Sequence, residues 1–469
     1  MWNLNKFGDR PALITEEDII TYHELERASE QVAEVIKERC LVFLFCANTP
    51  AAIAGYIGCL NHNIVPVMMD NSLDKELLLH LIKVYRPKYL WISKNERQDF
   101  PKYEEVFCLW DYVLLAVDNQ DNLEFNLYDK LALLMSTSGS TGSPKFVRQS
   151  YENIISNTIA IAEYLHIDED ERAITTLPMN YVYGLSIINT HLYTGAALIL
   201  TEKNVFQREF WQLFKEQGVT SMGGVPYTYE MLEKLRFFRM DIPSLKTLTQ
   251  AGGKLNPDLH KKFAQYAEKE KKRFVVMYGA AEATARMGYL PAEKSLSKYG
   301  SMGIAIPGGR FELRDTEGNL VEEPNTIGEL VYYGKNVSLG YAICGEDLIL
   351  GDERRECLYT GDLAIYEDGI YTIVGRKKRF LKIFGKRINL DEVEQILKNE
   401  FSTTDLACSG IDDKLYVFSI EAAVVEKIVP YLSMKLKLHS SAFKAKHIEF
   451  IPKNASGKTL YRELEQYYD

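Results

Sequence analysis

The stretch 136–145, STSGSTGSPK, stands between an apolar run at 131–135 and a segment from 151 in which Ile154, Ile155, Ile159, Ala162 and Leu165 recur at helical spacing. The pattern predicts a strand, a loop and a helix in succession. Gly139 and Gly142 permit tight backbone turns, the hydroxyls of Thr137, Ser138, Ser140 and Thr141 can donate to anionic oxygens, and Lys145 adds positive charge. Such a loop can cradle phosphate. It is not a Walker A loop, because Pro144 precedes the lysine and Phe146 follows it where that pattern needs Gly and Ser or Thr. A Ser/Gly-rich linker is the competing reading of the composition.

The surrounding chain alternates. A helical face at 21–37 carries Tyr22, Leu25, Ala28, Val32, Val35 and Ile36, and strands at 41–46, 64–69 and 89–92 are separated by helices from 51 and over 73–85. Beyond the loop, strands at 173–177, 196–200, 221–223 and 274–277 alternate with helices to 164, from 185, over 206–216, and around 229–235 and 257–267. This is parallel-sheet logic, and it predicts an α/β fold with two doubly wound halves. From residue 300 the texture changes to short strands (309–314, 328–333, 363–366, 369–374) with Gly, Pro and Asp turns, predicting an antiparallel, β-barrel-like unit. A last segment, opening with a helix at 391–398, mixes strands and helices as a small α+β domain. The expected boundary near Lys378 divides the chain into 1–377 and 378–469.

A chain of 469 residues with 46% hydrophobic and 26% charged residues can bury sizeable cores. Its formal net charge of -10 argues against a nucleic-acid partner or an anionic membrane surface. Residues 41–60 are twenty in a row without a charge, long enough to span a bilayer, but Asn48, Thr49 and Pro50 interrupt them, so a buried strand and a packed helix are expected and no membrane span. Seven cysteines without a CxxC pair suggest neither a disulfide framework nor a zinc site, and a reducing cytoplasm is expected. The opening MWNLNKFGDRP has no apolar signal core.

Five further stretches occur in order with the loop: AGGK at 251–254, YGAAEAT at 278–284, YTGD at 359–362, GRKKRFLKIFGKRINLDEVE at 375–394 and NASGK at 454–458. Together they resemble the acyl-adenylate-forming superfamily of AMP-dependent synthetases and ligases, and LPMNYVYGLS at 177–186 with EATARMGYLP at 282–291 looks most like its acyl-CoA synthetase branch. The resemblance runs from ITYHEL at 20–25 to Lys458. It implies ATP-dependent activation of a carboxylic acid as an acyl-adenylate with release of pyrophosphate, then transfer to a thiol as a thioester. ATP and Mg²⁺ are the implied cofactors, and CoA or a phosphopantetheinyl carrier protein the acceptor.

The chemistry needs positive charge and a metal, since both reacting partners are anions. By resemblance the loop residues 137–142 and Lys145 hold the β and γ phosphates and Glu282 helps hold Mg²⁺. Tyr278 stacks on adenine with Gly252, Gly253, Gly279, Ala280 and Ala281 beside the nucleotide, while Asp362 takes the ribose hydroxyls with Arg376. Lys458 reaches in from a Ser-Gly loop to neutralise growing charge; with Glu282 and Lys145 it forms the implied catalytic set. The C-terminal domain turns as a mobile lid about Lys378, bringing Lys382, Phe384 and Gly385 to the site as a thiol tunnel. Seven of the twelve residues over 376–387 are basic, which suits CoA phosphates and an acidic carrier protein equally.

The implied acyl pocket comprises Tyr181, Tyr183, Gly184, Gly223 and Val225, with Gly279 and Ala280 at its border. No Asp lies in PMNYVYG to pair an α-ammonium, which favours an acyl or aryl carboxylate over an amino acid. Ala281 departs from the family, whose motif carries a Thr there. That change leaves three outcomes: slower adenylation, a substitute hydroxyl from Thr284 or water, or a catalytically weak nucleotide-binding relative. Loading of an amino or acyl acid onto a carrier protein is the remaining alternative.

Overall fold

The computed structural model describes residues 1–117, 125–136, 145–377, 379–384, 386–403, 405–454, 457 and 459–468. It is a mixed α/β fold with several sheets, and it divides into two compact units. One comprises Met1–Arg310 and Tyr333–Leu358, the other Phe311–Tyr332 and Tyr359–Asp469.

In the first unit, the strands Leu41–Cys46, Val65–Asp70, Tyr89–Ser93 and Leu131–Ser136 run parallel at the centre of an eight-stranded sheet. All six residues of Leu41–Cys46 are buried, which is why that stretch reads as an unbroken apolar run rather than an alternation. Thr49 caps the helix Pro50–Asn61 and proline occupies its first turn, so the uncharged run at 41–60 is a strand and a buried helix. Among the described residues no helix is long and apolar enough to cross a membrane. Gly58 allows that helix to touch the preceding one, since a Cβ there would lie 2.4 Å from the Ser29 carbonyl oxygen. The helix bearing Ser29, Tyr22–Ile36, starts in a capping box between Thr21 and Glu24.

A nine-stranded sheet carries the second half of this unit. Arg172–Ile174, Ala197–Ile199, Ser221–Gly224, Thr247–Gln250 and Arg273–Tyr278 are all parallel. Pro11–Ile14 joins them from the far N-terminus, parallel to Ala197–Ile199. Neither Pro11–Ile14 nor Thr247–Gln250 is among the strands expected from the sequence.

One local expectation needs correction. The segment after the 136–145 loop does not enter the helix directly, because Phe146–Ser150 is a strand antiparallel to Leu131–Ser136. All five of its residues are buried, Arg148 included. A buried arginine breaks the apolar pattern that marks a strand, and here it is satisfied by the carbonyls of Tyr341 and Leu350 and by the Glu353 carboxylate.

The second unit contains a four-stranded sheet in the order Arg310–Arg314, Gly328–Tyr333, Cys357–Glu367, Ile370–Arg376. It is followed by the hairpin Phe380–Ile383/Lys386–Asn389, the helix Leu390–Phe401, and a three-stranded sheet with the helix Ala422–Leu436. Ile383, Val393, Leu397, Val417 and Ile428 form the core of this last part.

Candidate active site

Strand polarity decides where chemistry can gather. The segments after Arg172–Ile174, Ser221–Gly224, Thr247–Gln250 and Arg273–Tyr278 leave the carboxyl ends of parallel neighbours, and such ends are where open α/β sheets bind ligands. Tyr181, Val225, Gly252 and Tyr278 are all delivered to this edge. Gly252 has φ +86°, and a Cβ on it would lie 2.4 Å from the Tyr181 hydroxyl and 3.1 Å from Val225 Cγ1. Sequence-predicted residues from three segments therefore meet at one glycine. Gly253 abuts Pro226.

Tyr183 is buried as the second residue of the helix Val182–Thr194 and donates to the Thr249 carbonyl at 2.8 Å. A Cβ on Gly223 would stand 3.0 Å from the Tyr183 hydroxyl, and one on Gly184 2.2 Å from the Pro178 carbonyl oxygen. Burial pushes the Tyr183 phenol up to about 12, with Arg286 opposing.

Beyond Tyr278 the chain makes a tight return. Ala280 precedes a short 3₁₀ turn, Ala281–Ala283, and Thr284 and Ala285 have φ of +59° and +138° before Met287 returns its N–H to the Tyr278 carbonyl at 2.9 Å. Gly279 is obligatory, since a Cβ there would fall 1.7 Å from the Ala285 carbonyl oxygen. Side chains pin the turn: Gln149 donates to the Ala281 carbonyl at 3.1 Å, and Asn336 to those of Ala283 and Arg286 at 2.8 Å each. The Thr284 hydroxyl donates to the Asn336 carbonyl at 2.7 Å, so its proton is committed and it does not replace the hydroxyl absent at Ala281.

This turn presents Glu282, whose Oε1 accepts the Tyr341 phenol at 2.6 Å. Lys145 Nζ lies 3.7 Å from the centroid of the same ring, and the Arg354 guanidinium 4.8 Å from it. Burial, reinforced by the Glu282 charge, pushes the Tyr341 phenol up to about 12, so it remains a donor at neutral pH. Tyr341 pairs with Val147 across the Gly340–Ala342 ladder, and Arg148 fastens the same segment. Neither Tyr341 nor Arg354 is evident in the sequence: Tyr341 sits 59 residues from Glu282, and only the ladder brings them together. Ser136 opposes Phe146, fixing both ends of the phosphate-loop candidate. Thr137, Ser138, Gly139, Ser140, Thr141 and Gly142 themselves lie outside the described residues.

The donor set suits a metal that arrives with a nucleotide. Among the described residues no group of three or more His, Cys, Asp or Glu side chains could cage a cation. A single carboxylate, Glu282, held by the Tyr341 phenol, fits Mg²⁺, which is typically held by one or two carboxylates plus substrate phosphates.

In the second unit, Asp362 opposes Arg376 across the ladder, and Arg376 Nε donates to Asp362 Oδ1 at 3.1 Å. Asp362 is largely buried while the Arg376 side chain is 64% exposed. The basic run beyond is less free than its composition suggests. Lys377 pairs with Glu329 at 2.7 Å, and Arg379 with Asp391 at 2.6 Å and Glu394 at 2.7 Å under the Tyr461 ring. Phe384 is exposed and donates its N–H to Asp413 at 2.7 Å. Lys378, Gly385, Lys458 and the side chain of Lys382 lie outside the described residues.

A family model described as AMP-binding enzyme matches residues 1–342. A 2-succinylbenzoate–CoA ligase from Bacillus cereus is 25% identical over 488 residues, covering 98% of this chain and 95% of that protein. A linear gramicidin synthase from Brevibacillus parabrevis is also 25% identical across 98% of this chain, which spans only 6% of that much longer protein. Among solved structures, O-succinylbenzoate coenzyme A synthetase (MenE) from Bacillus subtilis in complex with AMP superposes with a TM-score of 0.78 at 21% identity, covering 99% of this chain and 98% of that one.

Proposed function

Because the chain belongs to the AMP-binding enzyme family, we propose that it is an AMP-forming acid–thiol ligase that activates a carboxylic acid and passes it to a thiol. The observation that carries this reading is the Glu282 carboxylate held by Tyr341, with the Lys145 ammonium on the same ring. A full-length CoA-ligase relative supports it.

In the first half-reaction a substrate carboxylate oxygen attacks the α-phosphorus of ATP. A new P–O bond forms, the bond to the β-phosphate oxygen breaks, and pyrophosphate leaves. Lys145, with the loop 137–142, offsets the charge of the departing phosphates. Mg²⁺, when bound, supplies Lewis-acid charge to the phosphate oxygens, and Glu282 is the carboxylate placed to hold it. Tyr341 keeps Glu282 aimed. Tyr278 with Gly252, Gly253, Gly279 and Ala280 takes the adenine, and Asp362 with Arg376 the ribose. Lys458 supplies the last positive charge as the α-phosphate changes geometry.

In the second half-reaction a thiolate attacks the acyl carbon, AMP departs with the bridging oxygen, and a thioester remains. We assign this step to a turned state of the lid 378–469 about Lys378, with Lys382, Phe384 and Gly385 along the thiol path. CoA and a phosphopantetheinyl carrier both satisfy it; the CoA-ligase relative supports CoA. A second reading, a catalytically weak nucleotide-binding relative, draws on Ala281 and on the Thr284 hydroxyl being committed elsewhere.

ATP–pyrophosphate exchange over a panel of carboxylic acids tests the proposal. Exchange that requires both an acid and Mg²⁺ is expected. ATP binding without exchange for any acid would favour the weak relative instead.

A further inference from the structure

The ring of Tyr341 gathers more positive than negative charge. Lys145 Nζ lies 3.7 Å from its centroid and the Arg354 guanidinium 4.8 Å from it, while the carboxylate bonded to the phenol is that of Glu282. The two cations are therefore no further apart than the sum of those two distances, a spacing that one pyrophosphate group can bridge. All four residues belong to the same compact unit.

Arg354 is presented by a firmly built turn. Asp352 Oδ1 accepts the N–H groups of Arg354 and Arg355 at 3.0 and 2.9 Å, and the Arg354 carbonyl accepts that of Cys357 at 3.0 Å. Glu353 anchors the turn: its N–H donates to the Leu339 carbonyl at 2.9 Å, and its carboxylate pairs with the buried Arg148. Arg355 and Glu356 follow with φ of +51° and +61°, a conformation that residues other than glycine seldom adopt and that the surrounding structure must hold in place. The adjacent acids are thus engaged, Asp352 by backbone and Glu353 by Arg148. Arg354 itself is half-buried and, among the described residues, forms no ion pair. Two cations and one carboxylate leave a net positive charge at the ring, which suits a further anion. A guanidinium offers a planar fork of donors that matches phosphate oxygens two at a time.

We propose that Arg354 binds the terminal phosphates of ATP together with Lys145 and holds the pyrophosphate as it leaves. This rests on the nucleotide site of the acid–thiol ligase reading and adds to it a phosphate-binding residue that lies outside every motif read from the sequence. When the bond from the α-phosphorus to the bridging oxygen breaks, its electron pair stays with the pyrophosphate, so negative charge grows on the group that Arg354 meets. AMP lacks those phosphates, and Arg354 contributes nothing to its binding.

The test is calorimetric binding of ATP, AMP and inorganic pyrophosphate to the full chain across a Mg²⁺ titration, for the wild type, Arg354→Gln and Arg354→Lys. Arg354→Gln is expected to weaken ATP and pyrophosphate by about tenfold or more at every Mg²⁺ concentration and to leave AMP within about twofold. Arg354→Lys keeps the charge without the fork and should fall between. Intact AMP binding reports an intact fold; should Arg354→Gln not fold, Arg354→Lys decides, with pyrophosphate weakened and AMP unchanged. Unchanged binding of ATP and pyrophosphate overturns the proposal, as does equal weakening of all three ligands. A loss that excess Mg²⁺ restores overturns it as well, because Arg354 would then act through Tyr341 and Glu282 rather than on phosphate. Pyrophosphate exchange keeps the ligase reading separate: absence of exchange with every acid, alongside pyrophosphate binding that depends on Arg354, overturns that reading and leaves this proposal standing. A wild-type chain that binds neither ATP nor pyrophosphate overturns both.

Discussion

Tyr341 donates its phenolic proton to Glu282 over 2.6 Å, while its ring carries the Lys145 ammonium 3.7 Å from the centroid. One side chain thereby sets the spacing between an anion and a cation that the proposed chemistry uses in opposite ways. Tyr341→Phe separates the two roles, because it keeps the ring and deletes the hydrogen bond. A hydrogen bond to a charged group contributes about 1.5–3 kcal/mol, so adenylation should fall roughly 10- to 100-fold. The Mg²⁺ concentration for half-maximal exchange should rise with it. An unchanged rate would remove Tyr341 from the site.

Glu282→Gln keeps size and hydrogen-bonding capacity but removes the negative charge. Mg²⁺ titration of pyrophosphate exchange is expected to shift to higher concentration by about tenfold or more, with little change in thermal stability, because the Glu282 carbonyl still accepts from Ser338 at 2.9 Å. A superimposable titration would mean that the metal is held elsewhere.

The expectations that held are those set by local pattern. The strand Leu41–Cys46 and the helix Pro50–Asn61 are marked by burial and by a proline cap within a few residues. Gly252, Gly279 and Tyr181 were singled out by the resemblance of AGGK, YGAAEAT and LPMNYVYGLS to family motifs, and the fold adds a physical reason for the two glycines, since each faces an approach that excludes a Cβ. Tyr341 was not, since its role arises from a ladder to Phe146–Ser150, and that strand hides behind a buried arginine. Arg286 looks like one more charge in EATARMGYLP until the fold buries it. The basic run over 376–387 erred the other way: composition counted Lys377 and Arg379 as available, and Glu329, Asp391 and Glu394 hold them.

Arg379 should matter more for stability than Lys377. Burial alone would lower the Arg379 guanidinium, but Glu394, Tyr461 and Asp391 outweigh it and hold the group above its ordinary value. Arg379→Ala leaves the buried Glu394 with only Lys398, 3.6 Å away, as a cation and is expected to cost about 3 kcal/mol, the low end for a broken buried pair. Lys377→Ala removes a half-exposed cation from a largely buried Glu329 and should cost less than Arg379→Ala, about 1 kcal/mol, because solvent screens the Lys377 end. Urea unfolding of both variants of the full chain checks the contrast.

Acid should destabilise the first unit before its carboxylates protonate. His191 and His260 are buried, and burial lowers each to about 4, with hydrogen bonds that the rings donate to the Ile187 carbonyl and to Ser295 opposing. His260 Nδ1 accepts the Gly300 N–H at 3.1 Å, a contact that a protonated ring would lose. Both folded values lie below the unfolded value, so the unfolded chain binds more protons between about pH 6.5 and 4. The stability these neutral rings contribute is present above that window and is lost as pH falls through it, on the order of 3 kcal/mol per histidine. His260→Gln should flatten the pH dependence of urea unfolding there by close to one proton. An unaltered slope would show that His260 is not the titrating group.

The proposed hinge can be tested through its neighbours. Lys377 donates its N–H to the Gly361 carbonyl at 2.7 Å and its ammonium to Glu329, which ties it to the four-stranded sheet. Arg379 is tied to Asp391 and Glu394 on the following helix. Residue 378 therefore joins two fastened positions, and any turning of 378–469 must be taken up largely by its own φ and ψ. Lys378→Pro fixes φ near −65° and confines Lys377 to extended conformations. Pyrophosphate exchange is expected to stay within about threefold of wild type, while thioester release from preformed acyl-adenylate falls by about 100-fold or more. The two half-reactions have to be measured separately, because a combined assay would report only the slower one. Were 378 merely part of a structural turn, proline would damage folding and depress both steps alike. Equal loss in both, accompanied by a lowered melting temperature, would end the case for a two-state lid. Loss confined to exchange would mean that the conformer proline favours is the thioester-forming one, and the assignment of states would have to be reversed.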